Sequence, residues 1–322
     1  MKQQPGVKTA YMLAVLNAAI IGFSFLFTKM ALEFSGPLDT LAFRFAGSFI
    51  VMSVPVACGW VKLSYRGKPL YKVLLLAAMY PLGFFTLQVF GLQHATSAEG
   101  GILYSFTPVV TLIIASLFLK EATSFLQKLS IFLSVFGVVF IFIMKGSSID
   151  LSNMAGILML FLTCVAFAGY TVLARSLAKQ FTPSEISYLM MAVGFIVFFG
   201  ISLISHTADR TLGDLFTPLK SATFTLAILY LGVISSLLTT WTSNYILSKI
   251  EASRMSVFTN LSTLVSIAAG ALFLGEEVTL YHWIGSALII AGVLGANMFG
   301  RGQTGKAMEI TEPAQRGSVH NG

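Results

Sequence analysis

Ten long stretches without a charged residue follow one another along this chain, and they restrict it to one class of structure. A helix needs roughly 20 apolar residues to cross a bilayer core of about 30 Å. The stretches are continuously apolar and lack the alternation of barrel strands, so each predicts a transmembrane α-helix. They are Thr9–Thr28, Phe45–Val61, Val73–Gln93, Gly100–Leu119, Leu129–Met144, Leu151–Ala174, Ile186–Ser205, Ser221–Ser248, Met255–Gly275 and Trp283–Gly300.

The low charge content excludes a soluble domain of this size. Charged residues make up 10% of the 322 residues and hydrophobic residues 56%, whereas a soluble domain carries roughly 25% charged residues. The net charge of +7 does not indicate nucleic-acid binding, because the basic residues are scattered between apolar blocks. We therefore expect a lipid bilayer around the chain and no nucleic-acid partner.

The basic residues between the stretches predict the orientation in the membrane. With a cytoplasmic N-terminus, fifteen of the 20 Lys and Arg residues fall on the inner side, four on the outer side, and Arg44 within a helix. Cytoplasmic loops carry such an excess. We expect a cytoplasmic N-terminus (residues 1–8), a polar, disordered cytoplasmic tail (301–322) and a plasma-membrane location. The presence of only two cysteines fits a bacterial membrane.

A segment near the middle of the chain is repeated near its end. LFLKEATS (Leu117–Ser124) matches LFLGEEVT (Leu272–Thr279) at an offset of 155 residues. Upstream, an offset of 146 pairs Pro37 with Pro183. Residues 9–145 therefore repeat as 153–299.

Each copy contains five predicted helices, and this odd number has a topological consequence. The second copy must enter the bilayer upside down relative to the first. Inverted repeats recur in secondary transporters, because two related halves can exchange packing to open either side. The sequence thus predicts an all-α integral membrane protein, with ten transmembrane helices as two inverted five-helix repeats, that carries a small-molecule substrate.

These features resemble the drug/metabolite transporter superfamily, in particular its ten-helix EamA branch. The resemblance rests on the paired LFLKE and LFLGEE segments, Pro108 thirteen residues before Glu121, Pro37 ahead of Arg44, and the small residues of Ala291–Gly300. It implies two EamA-like repeats that export small polar metabolites, amino acids among them, or let them pass. It also implies a central cavity lined by helices 1, 3, 4, 6, 8 and 9.

Several polar and aromatic residues lie deep in the helices that the resemblance assigns to the cavity. Such residues are costly in a membrane unless they face a cavity or a partner helix, and helix packing alone would explain any one of them. Together they would suit an amphipathic solute that is bound weakly. The candidate substrate-binding residues are Asn17, Tyr80, Phe84, Gln88, Tyr104, Tyr170, Trp241 and Asn260.

Four further residues are candidates for coupling or gating. Arg44 is a charge within a predicted helix, which indicates function by default, although it could also snorkel outward. Glu99 and His94 are the titratable candidates for proton coupling, with helix capping as the alternative. Pro108 is expected to interrupt helix 4, as Pro81 interrupts helix 3.

Other residues have a structural interpretation. We expect Glu121 and its repeat counterpart Glu276 to cap helices 5 and 10. The glycines of helices 5 and 10, among them Gly137 and Gly292, are expected to allow close packing or to form a homodimer face.

The sequence does not favour an enzyme. None of the four histidines lies in the middle of a predicted helix, and HExxH and GxSxG motifs are absent. We expect no catalytic residues, no cofactor and no bound metal. The alternatives to an uncoupled carrier are a proton-coupled drug efflux carrier, a passive channel and a membrane scaffold.

Overall fold

The structure is a computed structural model that describes residues 6–94, 103–144, 154–274 and 278–299. Throughout these ranges the regular structure is helical, without a strand, as the sequence predicts. Glu99, Glu276 and the tail lie outside the described residues. The α-helices are α1 Val7–Leu32, α2 Pro37–Ala57, α3 Leu70–Ala77, α4 Phe84–His94, α5 Thr107–Phe118, α6 Phe125–Met144, α7 Met154–Leu177, α8 Pro183–Ala208, α9 Ala222–Leu229, α10 Thr239–Lys249, α11 Ala252–Val257, α12 Thr259–Leu274 and α13 Leu280–Phe299.

Eight helical stretches in the described part of the chain are long and apolar enough to cross a membrane. They are α1, α2, the third stretch (α3 to α4), α6, α7, α8, the stretch from α9 to α10, and α13. The fourth predicted span is represented by α5, a shorter apolar helix, and the ninth by α11 and α12. Length and composition thus support a multi-pass membrane protein, while the count of ten stays a prediction.

Two of the helical stretches change to π-helical geometry near their middle. In the third stretch the π-helical segment is Ala78–Gly83, where Tyr80 has extended backbone angles immediately before Pro81. Proline removes a helical N–H donor and disfavours helical geometry in the preceding residue. The predicted interruption at Pro81 is therefore present. The second π-helical segment, Tyr230–Leu238, joins α9 to α10.

The helical path is also broken where the fourth predicted span passes Pro108. Tyr104 is helical, Ser105 and Phe106 form a turn, and α5 then begins at Thr107. Pro108 sits in the first turn of α5, where a missing N–H costs nothing. In the structure, the interruption that the sequence predicts at Pro108 lies just before this proline, and the proline is in the first turn of the next helix.

Glycines set the close approach of α6 and α13. A Cβ atom built on Gly137 would lie 2.8 Å from the carbonyl oxygen of Gly285, and one on Gly292 would lie 2.5 Å from the backbone nitrogen of Ser134. Both distances are too short for a side chain, so each helix exposes its backbone to the other. The small residues therefore serve packing within the chain.

An acidic residue fixes each end of the contact between α2 and α8. In the first turn of α2, Asp39 accepts a hydrogen bond from Ser202 Oγ at 2.6 Å and lies 3.1 Å from His206 Nε2, both near the end of α8. Glu185, in the first turn of α8, accepts a hydrogen bond at 2.6 Å from Nζ of Lys68, which lies in the loop after α2. The two acids are 146 residues apart, the offset that pairs Pro37 with Pro183 in the sequence.

Glu121 caps a helix other than the one the sequence suggests. Its carboxylate accepts hydrogen bonds from the backbone N–H of Ala252 at 3.0 Å and from Oγ of Ser253 at 2.8 Å. It therefore binds the first turn of α11, whereas Ser124 Oγ caps α6 by accepting from the backbone N–H of Gln127. The prediction of a cap was right in kind and wrong in target, because the partner lies in the other half of the chain.

Candidate functional site

A cavity of about 110 Å³ lies between the two halves of the chain. Its walls come from α1, α2, the third stretch, the residue before the turn that precedes α5, α7 and the second π-helical segment. Both π-helical segments contribute residues to the wall. The irregular backbone therefore lies beside the cavity, where non-helical backbone is tolerated in a membrane protein. The lining residues are Ile21, Ser24, Thr28, Arg44, Tyr80, Phe84, Phe85, Gln88, Tyr104, Phe167 and Ser235.

Arg44 carries the one positive charge among these lining residues. It lies two turns into α2 and its side chain is buried. Its Nε donates to Ser236 Oγ at 2.5 Å and its Nη2 donates to Ser235 Oγ at 3.3 Å. The guanidinium carbon lies 4.5 Å from the centre of the Phe85 ring. Arg44 therefore neither snorkels outward nor points toward lipid, and it is held at the cavity wall.

Aromatic rings form another part of the wall. The ring centroids of Phe84 and Tyr104 are 5.8 Å apart, and Phe167 lies 5.7 Å from Phe84 and 5.9 Å from Tyr104. Tyr80 packs at 5.3 Å from Phe84. Such edge-to-face and tilted contacts hold the rings in fixed orientations. The cavity thus combines a rigid aromatic surface with a localised positive charge.

A smaller cavity of about 20 Å³ lies further toward the N-terminal end of α1 and shares Ile21 and Phe167 with the first. Asn17 lines it and ties α1 to α10. Its Nδ2 donates to Ser243 Oγ at 3.0 Å, and its Oδ1 accepts from Thr242 Oγ1 at 2.6 Å. This buried network narrows the space between the halves on that side.

The predicted substrate-binding residues divide into three groups. Tyr80, Phe84, Gln88 and Tyr104 line the larger cavity, and Asn17 lines the smaller one.

Three others lie elsewhere. The Tyr170 hydroxyl donates to Asn244 Oδ1 at 3.1 Å, and its ring packs behind Tyr80. Asn260 donates to Ser134 Oγ at 3.1 Å and so joins α12 to α6. Trp241 is 38% exposed and donates to Ser184 Oγ on the surface of the bundle.

The gating candidates are only partly within the described residues. Arg44 is at the cavity, and Pro108 is buried in the first turn of α5. His94 ends α4, but its side chain lies outside what the structure describes, and so does all of Glu99. Their role in proton coupling stays a prediction.

Sequence reasoning missed several lining residues. The hydroxyls of Ser24 and Thr28 and the rings of Phe85 and Phe167 give no signal, because serine, threonine and phenylalanine are common in transmembrane helices. A count of polar residues could have singled out the adjacent serines Ser235 and Ser236, which lie within a long stretch without a charged residue.

The lining provides groups that can bind a small molecule. Its described residues include one cation and neither a carboxylate nor a histidine. Within the described ranges no cluster of His, Cys, Asp and Glu could hold a metal ion. The arrangement provides a shaped, largely apolar enclosure with a few polar anchors, as small-molecule sites do.

Several known proteins similar to this chain are named as transporters. The model of the EamA-like transporter family matches residues 8–143 and again 154–298. The uncharacterized transporter YcxC of Bacillus subtilis (strain 168) is 44% identical over 289 residues, which cover 90% of this chain and 93% of that protein. An uncharacterized transporter of Archaeoglobus fulgidus is 27% identical over 88% of this chain and 96% of its own length. A crystal structure with 16% identity superimposes with a TM-score of 0.75 over 90% of this chain and 98% of the other, so the two share a fold.

Proposed function

Because the chain belongs to the EamA-like transporter family, we propose that it is a secondary carrier working by alternating access. Its substrates are small amphipathic metabolites, amino acids and related solutes among them, which it exports across the plasma membrane. The observation that carries this proposal is the cavity between the halves, with its aromatic wall and the buried Arg44. A cavity of about 110 Å³ suits a small solute better than a large drug.

Ten membrane-spanning helices in two inverted repeats are part of the proposal. The positions of the irregular segments support the repeat. The offset of 155 residues carries the π-helical segment Ala78–Gly83 onto 233–238, within the observed segment Tyr230–Leu238. The helical path is also broken at Phe258, between α11 and α12, two residues before positions 260 and 261, where the same offset places the break at Ser105 and Phe106. The family model also matches the chain twice.

The pairing of helices supports the same symmetry. The helices α2 and α8 are equivalent in the repeat and pack on each other, and so do α6 and α13. The contact between α4 and α7 corresponds to the contact between α10 and α1. The contact between α5 and α7 corresponds in the same way to the contact between α12 and α1. Two halves related in this way can exchange roles when one side opens and the other closes.

The two ends of the cavity region differ, as alternating access requires of any single state. The larger cavity borders the C-terminal half of α1, whereas the Asn17 network narrows the N-terminal side. If the N-terminus is cytoplasmic, as the sequence predicts, the larger cavity lies toward the outer end of α1. In the opposite state the Asn17 hydrogen bonds to α10 would break and the outer side would close.

Counterflow in proteoliposomes tests the proposed function. Purified protein is reconstituted, preloaded with a pool of amino acids or of carboxylic acids, and challenged with labelled members of each pool. We expect saturable uptake that requires internal solute and persists when the proton gradient is collapsed.

The outcomes separate the alternatives. Uptake that is lost when the proton gradient is collapsed would indicate a proton-coupled carrier instead of a uniporter or an exchanger. Flux that does not saturate and needs no internal solute would indicate a channel. No uptake from either pool by folded protein would contradict the carrier for these solutes.

A further inference from the structure

We propose that Arg44 binds the carboxylate of an amphipathic monoanion, so that monocarboxylates with an aromatic or branched body are the preferred substrates. This inference rests on the proposed function and names its substrate class. The carboxylate would pair with the guanidinium at the cavity wall, and the apolar body would lie against Phe84, Tyr104 and Phe167.

The charge of Arg44 is unbalanced within the described residues that line the cavity. An arginine in a protein stays protonated, and its guanidinium has five N–H donors. Within the described part of the chain, hydrogen bonds to Ser235 and Ser236 use two of these donors, and no carboxylate forms an ion pair with the group. Charges within membrane-spanning segments are costly, and they face a water-filled cavity or pair with other groups. A substrate anion in the cavity would supply the missing partner.

The geometry of the remaining N–H donors of Arg44 also suits a carboxylate. The two serines hold Nε and Nη2, and the ring of Phe85 covers one face of the guanidinium at 4.5 Å. The group is therefore fixed in orientation while it borders the cavity. A planar fork of N–H donors matches a carboxylate in two parallel hydrogen bonds, which an ammonium side chain cannot do.

The described lining limits the charge of the substrate to one. The described lining contains one basic side chain, so a dianion such as a phosphate ester would carry an excess negative charge into the membrane. The same lining contains no carboxylate, so the ammonium group of an amino acid would lose its hydration without an ionic partner. A monocarboxylate without an ammonium group is complementary on both counts.

A series of probes with one phenyl group tests this on the wild-type protein. We would measure binding of labelled hydrocinnamate to the purified protein, with competition by its neutral amide, phenylalanine and phenethylamine. Hydrogen bonds to a charged group imply a preference for hydrocinnamate over its amide of roughly tenfold to hundredfold. We expect phenylalanine to bind more weakly than hydrocinnamate, and phenethylamine to bind most weakly. Absent binding of hydrocinnamate, or equal binding of the amide, overturns the proposal.

Substitutions at Arg44 then locate the site. We expect Arg44→Gln to abolish the preference for hydrocinnamate over its amide, and Arg44→Lys to retain part of it because the charge remains. Arg66→Gln removes the same charge from an exposed position in the loop after α2 and should leave the preference intact. A preference retained in folded Arg44→Gln, as judged by an unchanged melting temperature, would overturn the assignment. If Arg44→Gln does not fold, the probe series on the wild type still decides.

The outcome of these binding experiments is independent of the outcome of the counterflow experiment. Saturable counterflow of amines or neutral solutes, with Arg44→Gln fully active, would keep the carrier and reject the anion site. Arg44-dependent binding of hydrocinnamate without any counterflow would keep the site and reject the carrier.

Discussion

Replacing Gly292 with leucine is expected to prevent stable folding. A Cβ atom at this position would lie 2.5 Å from the backbone nitrogen of Ser134 and 2.6 Å from the carbonyl oxygen of Ser130, both in α6. These are backbone atoms of a packed helix, so the clash cannot be relieved by rotating a side chain. Overpacking costs roughly 1–3 kcal/mol when the neighbours can move and more when they cannot. We expect an effect at or above the upper end of that range, measured as the melting temperature and monodisperse yield in detergent.

Gly200→Leu is the matched control for this prediction. Gly200 lies within α8, and a Cβ atom built on it meets nothing within 4 Å. Leucine favours a helix over glycine by about 1 kcal/mol, so this variant should be as stable as the wild type or more stable. Equal stability of the two variants would show that α6 and α13 do not approach as closely as the structure indicates.

Filling the cavity should abolish transport without unfolding the protein. Ser24 lines the cavity, and its hydroxyl donates to the carbonyl oxygen of Ile21 in its own helix at 2.7 Å. In the variant Ser24→Phe an aromatic ring would occupy space needed by the solute. We expect counterflow to fall to the background of liposomes without protein, while the melting temperature stays close to that of the wild type.

Ser53→Phe provides the comparison. Ser53 makes the same kind of bond, to the carbonyl oxygen of Phe49 at 2.7 Å within α2, and it does not line the cavity. Counterflow by this variant should match the wild type. Wild-type flux in folded Ser24→Phe would mean that the substrate takes another path through the protein.

The helical class and the interruption of the third stretch follow from local sequence. A continuously apolar stretch determines a transmembrane helix by itself, and a proline such as Pro81 disturbs whichever helix contains it. The charged Arg44 could also be recognised as unusual, because a membrane leaves few explanations for a buried charge.

The partners of these residues could not be predicted. Arg44 is bonded to Ser235 and Ser236, and Glu121 to the first turn of α11, across long separations in the chain. The directions in which Trp241 and Asn260 face could not be predicted either. Their helices were expected at the cavity, but the sequence does not reveal which face of α12 is inward, nor which face of α10, where five of the six residues Thr239–Asn244 are polar. Trp241 therefore proved to be at the surface and Asn260 between α12 and α6.

Sided labelling of two cysteines on α1 tests alternating access most directly. Ser24 lines the larger cavity and Ala14 the smaller one, ten residues apart or about 15 Å along the helix. Each cysteine is introduced singly into a Cys58→Ser background, in which the remaining Cys164 is buried. Membrane-impermeant maleimide is applied from either side of oriented membranes, with and without a transported solute from the counterflow experiment.

We expect the Ser24→Cys site to react from the outside and the Ala14→Cys site from the inside. The solute should change the two rates in opposite directions, because one conformational equilibrium controls both. Reaction of both sites from the same side, at rates that the solute does not shift, would reveal a continuous pore and contradict the carrier.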